Sequence, residues 1–392
     1  MSKKILIFGG LLFLIFFVLT NYINISPKDM LAGVFFVDSL TERQLKAKDN
    51  VRILIVPGHD DEYWGTEFNG IKEADLNVEL AEYLTNYLRQ EKDFQVYLLR
   101  NKQGYDGDYL NYIKNNKEDI FNFQKKHQDT MSALTSSGLV DSEIRFNSDQ
   151  KSLSEVVTRL YGINKWSNEE SMDIVIHVHF NDYPGRYSDW VGKYSGLTIY
   201  IPDEQYSNHK ISFSIARSVS SFLGKYFAYS DLKYEKGQQG IKENQEFIAL
   251  GSFNTLDAAG LLVEYGYIYE PQFTNSNTRQ PLLKEMAWQT YLSLADFFSK
   301  DLKKDNLMLP YQWDLNLSKG MNNNEDVLAM QFLLSQQGFY PPYGYNLNDC
   351  PISGSFGNCT LRAVKDFQTE YSIIPTSGFV GELTRNKLNE FE

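Results

Sequence analysis

The sequence predicts an α/β fold, and three observations carry that prediction. Short apolar runs recur at residues 51–56, 173–178 and 260–263, with others at 94–99 and 197–201, and each has the length of a buried strand. Helical spacing fills the intervals, most clearly where Leu76, Leu80, Leu84 and Leu88 return every fourth residue and mark one helix face. The two patterns alternate from residue 51 to about residue 302, as strands and helices layered around one core would.

In chain order, the first element is residues 1–25. Lys3 and Lys4 precede a nearly unbroken apolar run over 5–19, which Tyr22, Ile23 and Ile25 extend. That length approaches the roughly 20 residues needed to cross a bilayer. The flanking lysines favour the cytoplasmic side, so the bulk of the chain is expected to be exported. Leu19-Thr20-Asn21-Tyr22-Ile23 offers no small-x-small cleavage site, so the segment reads as a retained transmembrane helix; cleavage would instead release a secreted protein. Residues 26–50 mix apolar and charged types and read as a stalk. Residues 51–302 follow as one domain, closed by helical stretches at 211–227 and 282–298. Within it, residues 101–172 form a long polar, helix-prone insertion, read as solvated decoration rather than as a lid. Residues 303–320 are largely polar, contain Pro310, and read as a linker. Residues 321–392 form a separate small module. No internal repeat is present.

Composition agrees with this division. A chain of 392 residues has room for two or three domains, and 42% hydrophobic with 15% aromatic residues can fill their cores. The net charge of −12 argues against a nucleic-acid partner, which would require a basic surface. Cys350 and Cys359 are the only cysteines, too few for a structural zinc site. In an exported chain they would form a disulfide, closing a loop of about ten residues worth roughly 2.7 kcal/mol.

Three of the predicted strands lead into residues suited to zinc chemistry. Pro57-Gly58-His59 ends the first, His179 the second and Glu264 the third. Ligands of open α/β sheets bind at the carboxyl ends of strands, so these side chains would meet on one rim. Glu73 opens the leucine-striped helix and faces the same way as Leu76 and Leu80. A buried carboxylate needs a partner such as a metal, although a first-turn Glu also suits the helix dipole. His177 and His179 stand two apart on one strand and share a face, so geometry alone admits either as a ligand. Hydrolytic zinc sites use three protein ligands and leave a position for water, whose proton a nearby carboxylate handles. Neither His-Glu-x-x-His nor Gly-x-Ser-x-Gly occurs, which removes the helix-borne metalloprotease and serine-hydrolase patterns.

Together these pieces resemble the zinc-dependent N-acetylmuramoyl-L-alanine amidase family. The resemblance runs through Pro57-Gly58-His59, Lys72-Glu73-Ala74-Asp75-Leu76-Asn77, Arg100, the pair Arg159 and Asn164, Ile176-His177-Val178-His179-Phe180-Asn181, and Leu262-Val263-Glu264-Tyr265-Gly266. It implies a twisted mixed sheet flanked by helices, zinc held by His59, Glu73 and His179, and Glu264 as the catalytic carboxylate. His179 is preferred over His177 because the family pattern is His-x-Asn. Asp60-Asp61-Glu62-Tyr63-Trp64 stands where the family has glycines, and the Ser usual before the second histidine is missing. These departures keep two alternatives open, a related zinc hydrolase acting on another wall amide and a non-catalytic scaffold. The last module resembles a small three-helix peptidoglycan-binding domain. The resemblance is carried by residues 326–334 with Gly338, by Gly354-Ser355-Phe356-Gly357 with residues 360–368, and by Gly378, Gly381 and Leu383-Thr384. The combination implies an exported amidase that cleaves between the lactyl group of N-acetylmuramic acid and L-alanine, with peptidoglycan as partner.

Overall fold

A computed structural model describes residues 40–141, 155–183, 185–300 and 310–391. The expected anchor at residues 1–25 lies outside them; among the described residues no helix is long and apolar enough to cross a membrane.

Six strands build the central sheet: β1 (Val51–Pro57), β2 (Phe94–Leu98), β3 (Ile174–Asn181), β4 (Thr198–Pro202), β5 (Ile241–Asn244) and β6 (Ala259–Tyr267). Their order is β2-β1-β3-β6-β4-β5. Every neighbouring pair is parallel except β6 and β4, so the sheet is mixed. The middle strands β1, β3 and β6 are buried almost throughout, which is why each reads as an apolar run rather than as an alternation. Their register sets His177 between Val56 and Leu262, and Glu264 opposite His179. Strand β1 ends level with Val178 and Val263, just before His179 and Glu264, so all three strands deliver their candidate residues to one end of the sheet.

The two faces of the sheet carry different helices. Ile53 and Ile55 of β1 join a cluster with Leu76, Leu80, Leu84 and Leu88 of α1 (Glu73–Leu88), which packs beside α6 (Ser276–Phe297). Next to α6 on this side lies α5 (His209–Leu223). Leu54 and Val56 point the other way, against Ile163 and Trp166 of α4 (Glu155–Glu169). The segment expected as solvated decoration is thus only partly so. Helices α2 (Gly107–Asn115) and α3 (Lys117–Ser136) present mostly polar surfaces, but Ile163 and Trp166 of α4 are buried against the sheet, and Tyr161 is buried among Ile120, Met131 and Leu134 of α3.

Two further boundaries shift. The outer end of the predicted stalk packs on the domain: residues Glu42–Lys46 form a helical turn capped by Thr41, and Leu45 is fully buried. The predicted linker gives its second half to the carboxyl-terminal module, where Trp313 and Leu317 are buried. Trp313 Nε1 donates to the Asp326 carbonyl at 2.9 Å, and Leu317 bridges to Val380. The module holds three helices, α7 (Glu325–Gln336), α8 (Asn358–Glu370) and α9 (Glu382–Asn389), with a disulfide between Cys350 and Cys359 whose Cα atoms lie 5.9 Å apart. It rests directly on the α/β domain. The Phe332 ring lies 5.4 Å from that of Tyr226 and 5.8 Å from that of Phe227, and Ser335 Oγ donates to the Lys225 carbonyl at 3.3 Å.

Candidate active site

The site begins where β1 ends. Gly58 N donates to the Val178 carbonyl at 2.9 Å, continuing the strand pairing by one residue. His59 then adopts a left-handed conformation, φ 61°, which turns the chain sharply across the rim. Two buried side chains secure this turn through the Gly58 carbonyl. Asn77 Nδ2 donates to it at 2.9 Å, and Arg100 Nη2 at 3.2 Å while also donating to the Ala74 carbonyl at 3.1 Å. The strand end and the start of α1 are thereby locked together.

Glu73, the first residue of α1, is 4% exposed and sits between the two histidines. His179 Nδ1 is 3.0 Å from its Oε1 and His59 Nε2 is 3.2 Å from its Oε2. One ligand atom from each of the three residues lies within 4.8 Å of the others. Burial opposes ionisation of Glu73, but hydrogen bonds from His179 and His59 outweigh it and hold the carboxyl well below the usual range. Burial likewise works against protonation of His59, yet Glu73 wins and raises its pKa. Glycines make room for the cluster: a Cβ on Gly58 would stand 2.2 Å from His179 Cε1, and one on Gly65 2.2 Å from Glu73 Oε2. Two imidazole nitrogens and a carboxylate oxygen, converging in a space that side chains have been kept out of, suit a zinc ion.

The other histidine of β3 plays a different part. His177 is 1% exposed, lies deeper along the strand, and does not join the cluster. Burial, then the neighbouring His179, lower its pKa to about 3, so it is a neutral packed histidine. Among the described residues its Nε2 has no hydrogen-bond partner.

Glu264 completes the rim. It lines one cavity of about 350 Å³ with His59, His177 and His179. Its Oε2 is buried and has no partner among the described residues. Burial first, then the charges of Glu73 and Glu235, push its carboxyl well above the ordinary value. A carboxyl so placed holds a proton more readily than an exposed one, as a proton carrier must. Glu235 accepts from Asn181 Nδ2, Thr198 Oγ1, Tyr200 OH, Ser230 Oγ and Tyr267 OH, whereas Glu264 Oε2 accepts from none.

Of the residues singled out in the sequence, His59, Glu73, His179 and Glu264 meet at the rim, while Arg100 stands behind it as a brace. Asn164 is elsewhere, tying α4 to the Ile248 carbonyl at 2.7 Å and Thr255 Oγ1 at 3.0 Å. Sequence reasoning passed over Asp60, Tyr105 and Glu235. Asp60 is a hub rather than a surface acid: it accepts from Arg159 Nη1 at 2.5 Å, from Tyr105 OH at 2.9 Å and from the Glu62 and Tyr63 amides. Its position directly after His59 was the available signal; Glu235, set among Lys233, Tyr234 and Lys236, offered none.

Fold and site together define an α/β enzyme with a candidate hydrolytic centre at the carboxyl ends of its middle strands. Residues 53–296 match the family model described as N-acetylmuramoyl-L-alanine amidase, and residues 323–388 match that of a peptidoglycan-binding domain. The chain belongs to the N-acetylmuramoyl-L-alanine amidase family and carries a peptidoglycan-binding domain at its carboxyl end. No curated protein matches it significantly. Similar solved structures include the N-acetylmuramoyl-L-alanine amidase of Clostridium difficile, at 17% identity over 65% of this chain and 100% of that one, with a TM-score of 0.38. The CwlD amidase of Clostridioides difficile, solved with the GerS lipoprotein, is 14% identical over 64% of this chain and 99% of its own, with a TM-score of 0.40. The corresponding amidase of Mycobacterium smegmatis is 12% identical over 64% and 99%, with a TM-score of 0.41. Family membership rests on the match over residues 53–296, since scores this low add nothing to it.

Proposed function

We infer that this amidase is zinc-dependent and exported, anchored by residues 1–25, and that it cleaves the bond between the lactyl group of N-acetylmuramic acid and L-alanine. The convergence of His59, Glu73 and His179 beside the unpartnered Glu264 Oε2 carries the reading. Those first three would hold the zinc ion, which when bound polarises an amide carbonyl and acidifies water. Glu264 would accept the proton of the attacking water and deliver it to the departing L-alanine nitrogen, so that one carboxylate serves as base and then acid. Asn77 and Arg100 would keep the His59 turn in place through both steps, because each grips the Gly58 carbonyl. The peptidoglycan-binding domain would hold the enzyme on an insoluble polymer. Export agrees with the Cys350–Cys359 disulfide, a bond that persists in oxidising compartments.

The test is digestion of purified peptidoglycan. The protein should release stem peptides with a free L-alanine amino terminus, and a chelator should stop it. Glu264→Gln should lower turnover by about 10²–10⁴-fold while zinc stays bound. New amino termini at another stem residue would favour a different wall amide, and none at all would leave a scaffold.

A further inference from the structure

Beyond the cavity, residues 185–197 run from the rim of the site to the seam between the α/β domain and the carboxyl-terminal module. Their first turn is built around Arg186, whose side chain is 2% exposed. Its Nε donates to Asp182 Oδ1 at 2.6 Å, and its Nη2 to Asp182 Oδ2, Thr66 Oγ1 and the Glu67 carbonyl at 2.8, 3.1 and 2.8 Å. Nη1 donates to the carbonyls of Tyr187, Ser188 and Trp190. The guanidinium lies 5.1 Å from the centre of the Tyr269 ring and 5.7 Å from that of Phe68. Thr66 N in turn donates to Glu73 Oε2 at 3.0 Å, so this buried cation is tied through Thr66 to the wall of the candidate zinc site.

What the cation holds in place faces outward. Tyr187 is 67% exposed and Trp190 63%, and their ring centres lie 5.2 Å apart with the planes inclined at 56°. Arg186 Nη1 thus fixes the backbone that carries these two rings, although the rings themselves, being mostly exposed, contribute little to the core. Exposed apolar surface rimmed by polar groups marks a place where something binds. The same segment then passes Gly192, whose backbone lies so close to the Tyr269 ring that a Cβ would stand 2.1 Å from it. It ends along a cleft of about 210 Å³ that Lys193 and Tyr194 share with Asn348 and Ile352 of the module.

We propose that Tyr187 and Trp190 are a stacking platform for the sugar rings of the glycan strand, guiding it from the cavity at His59 and Glu264 towards the cleft under the carboxyl-terminal module. The choice of occupant rests on the amidase reading. A pyranose ring presents a C–H face that suits the electron-rich face of an aromatic ring, while its hydroxyl edge stays in water. An open platform of two inclined rings therefore fits a sugar polymer, whereas an apolar peptide would call for an enclosed groove.

The experiment uses the full chain carrying Glu264→Gln, so that the wall is not consumed, and measures sedimentation with two polymers: intact peptidoglycan, and glycan strands stripped of stem peptides. Adding Tyr187→Ala and Trp190→Ala should raise the dissociation constant about tenfold on both, a loss of about 1.4 kcal/mol. Adding Tyr187→Phe and Trp190→Phe should restore binding to within about twofold, because the flat faces return. An unchanged dissociation constant in the alanine variant, or a loss seen only on intact peptidoglycan, overturns the proposal. The amidase reading is decided separately by the products of the unmutated enzyme. Amide cleavage with unaltered binding in the alanine variant removes only the platform, and weakened binding without cleavage removes only the amidase chemistry.

Discussion

Gly58 shows how little freedom the site leaves at the scale of single residues. A methyl group there would overlap the His179 ring, and the ring could yield only by leaving its contact with Glu73. Gly58→Ala is accordingly expected to weaken zinc binding by about 10–100-fold while the protein still melts cooperatively, measured by competition with a chromophoric chelator. The two histidines of β3 give a sharper contrast. His179→Ala should abolish stoichiometric zinc, whereas His177→Leu should retain roughly one ion per chain by elemental analysis, because His177 supplies no ligand atom. Strand alternation could not separate these two residues, since a period of two puts both on one face. Depth separates them: His177 lies level with Val56 and Leu262 inside the sheet, and His179 one step beyond, level with Glu264. Asp60 was hidden for a related reason. An acid in a turn reads as a surface residue, and only the fold brings Arg159 and Tyr105 from distant sequence onto it.

Among the elements, α4 carries the clearest lesson. Its sequence is polar enough to pass for a solvated helix, yet its apolar positions cover Leu54 and Val56 while Arg159 reaches the rim. Asn164 is the polar group that makes this burial stable, by donating to the Ile248 carbonyl and Thr255 Oγ1. Asn164→Ala leaves both acceptors without that donor and should cost about 1–3 kcal/mol in urea unfolding, with zinc stoichiometry unaffected. Strands β1, β3 and β6 and helix α1 were legible because each repeats one simple pattern along its length. Strand β5 was not: Ile241-Lys242-Glu243-Asn244 lies at the sheet edge, where charged side chains are tolerated and no apolar run is needed. Helix α6 begins at Ser276, several residues before the predicted start, and continues through Pro281. Pro281 is its sixth residue, past the four amides that lack a partner in the helix, so the ring forgoes one backbone hydrogen bond, to the Asn277 carbonyl.

At the scale of the whole molecule, two folding units share one chain and one continuous apolar cluster. The carboxyl-terminal unit is small for an independent core, and its disulfide compensates. Replacing Cys350 and Cys359 by serine should lower its stability by about 2.7 kcal/mol, read as an earlier melting transition under non-reducing conditions. The sequence told the two units apart through the polar stretch between them, but not how they sit, because contacts such as Phe332 with Tyr226 join residues with no local relationship. That contact has a consequence for how the enzyme would explore its substrate. A domain on a loose leash lets the active site sweep a volume around the point of attachment. One seated against the catalytic domain works instead as a ruler. Each grip on the wall would set a fixed offset to the bond cut, so that cuts would be spaced by the geometry of the protein rather than scattered by diffusion.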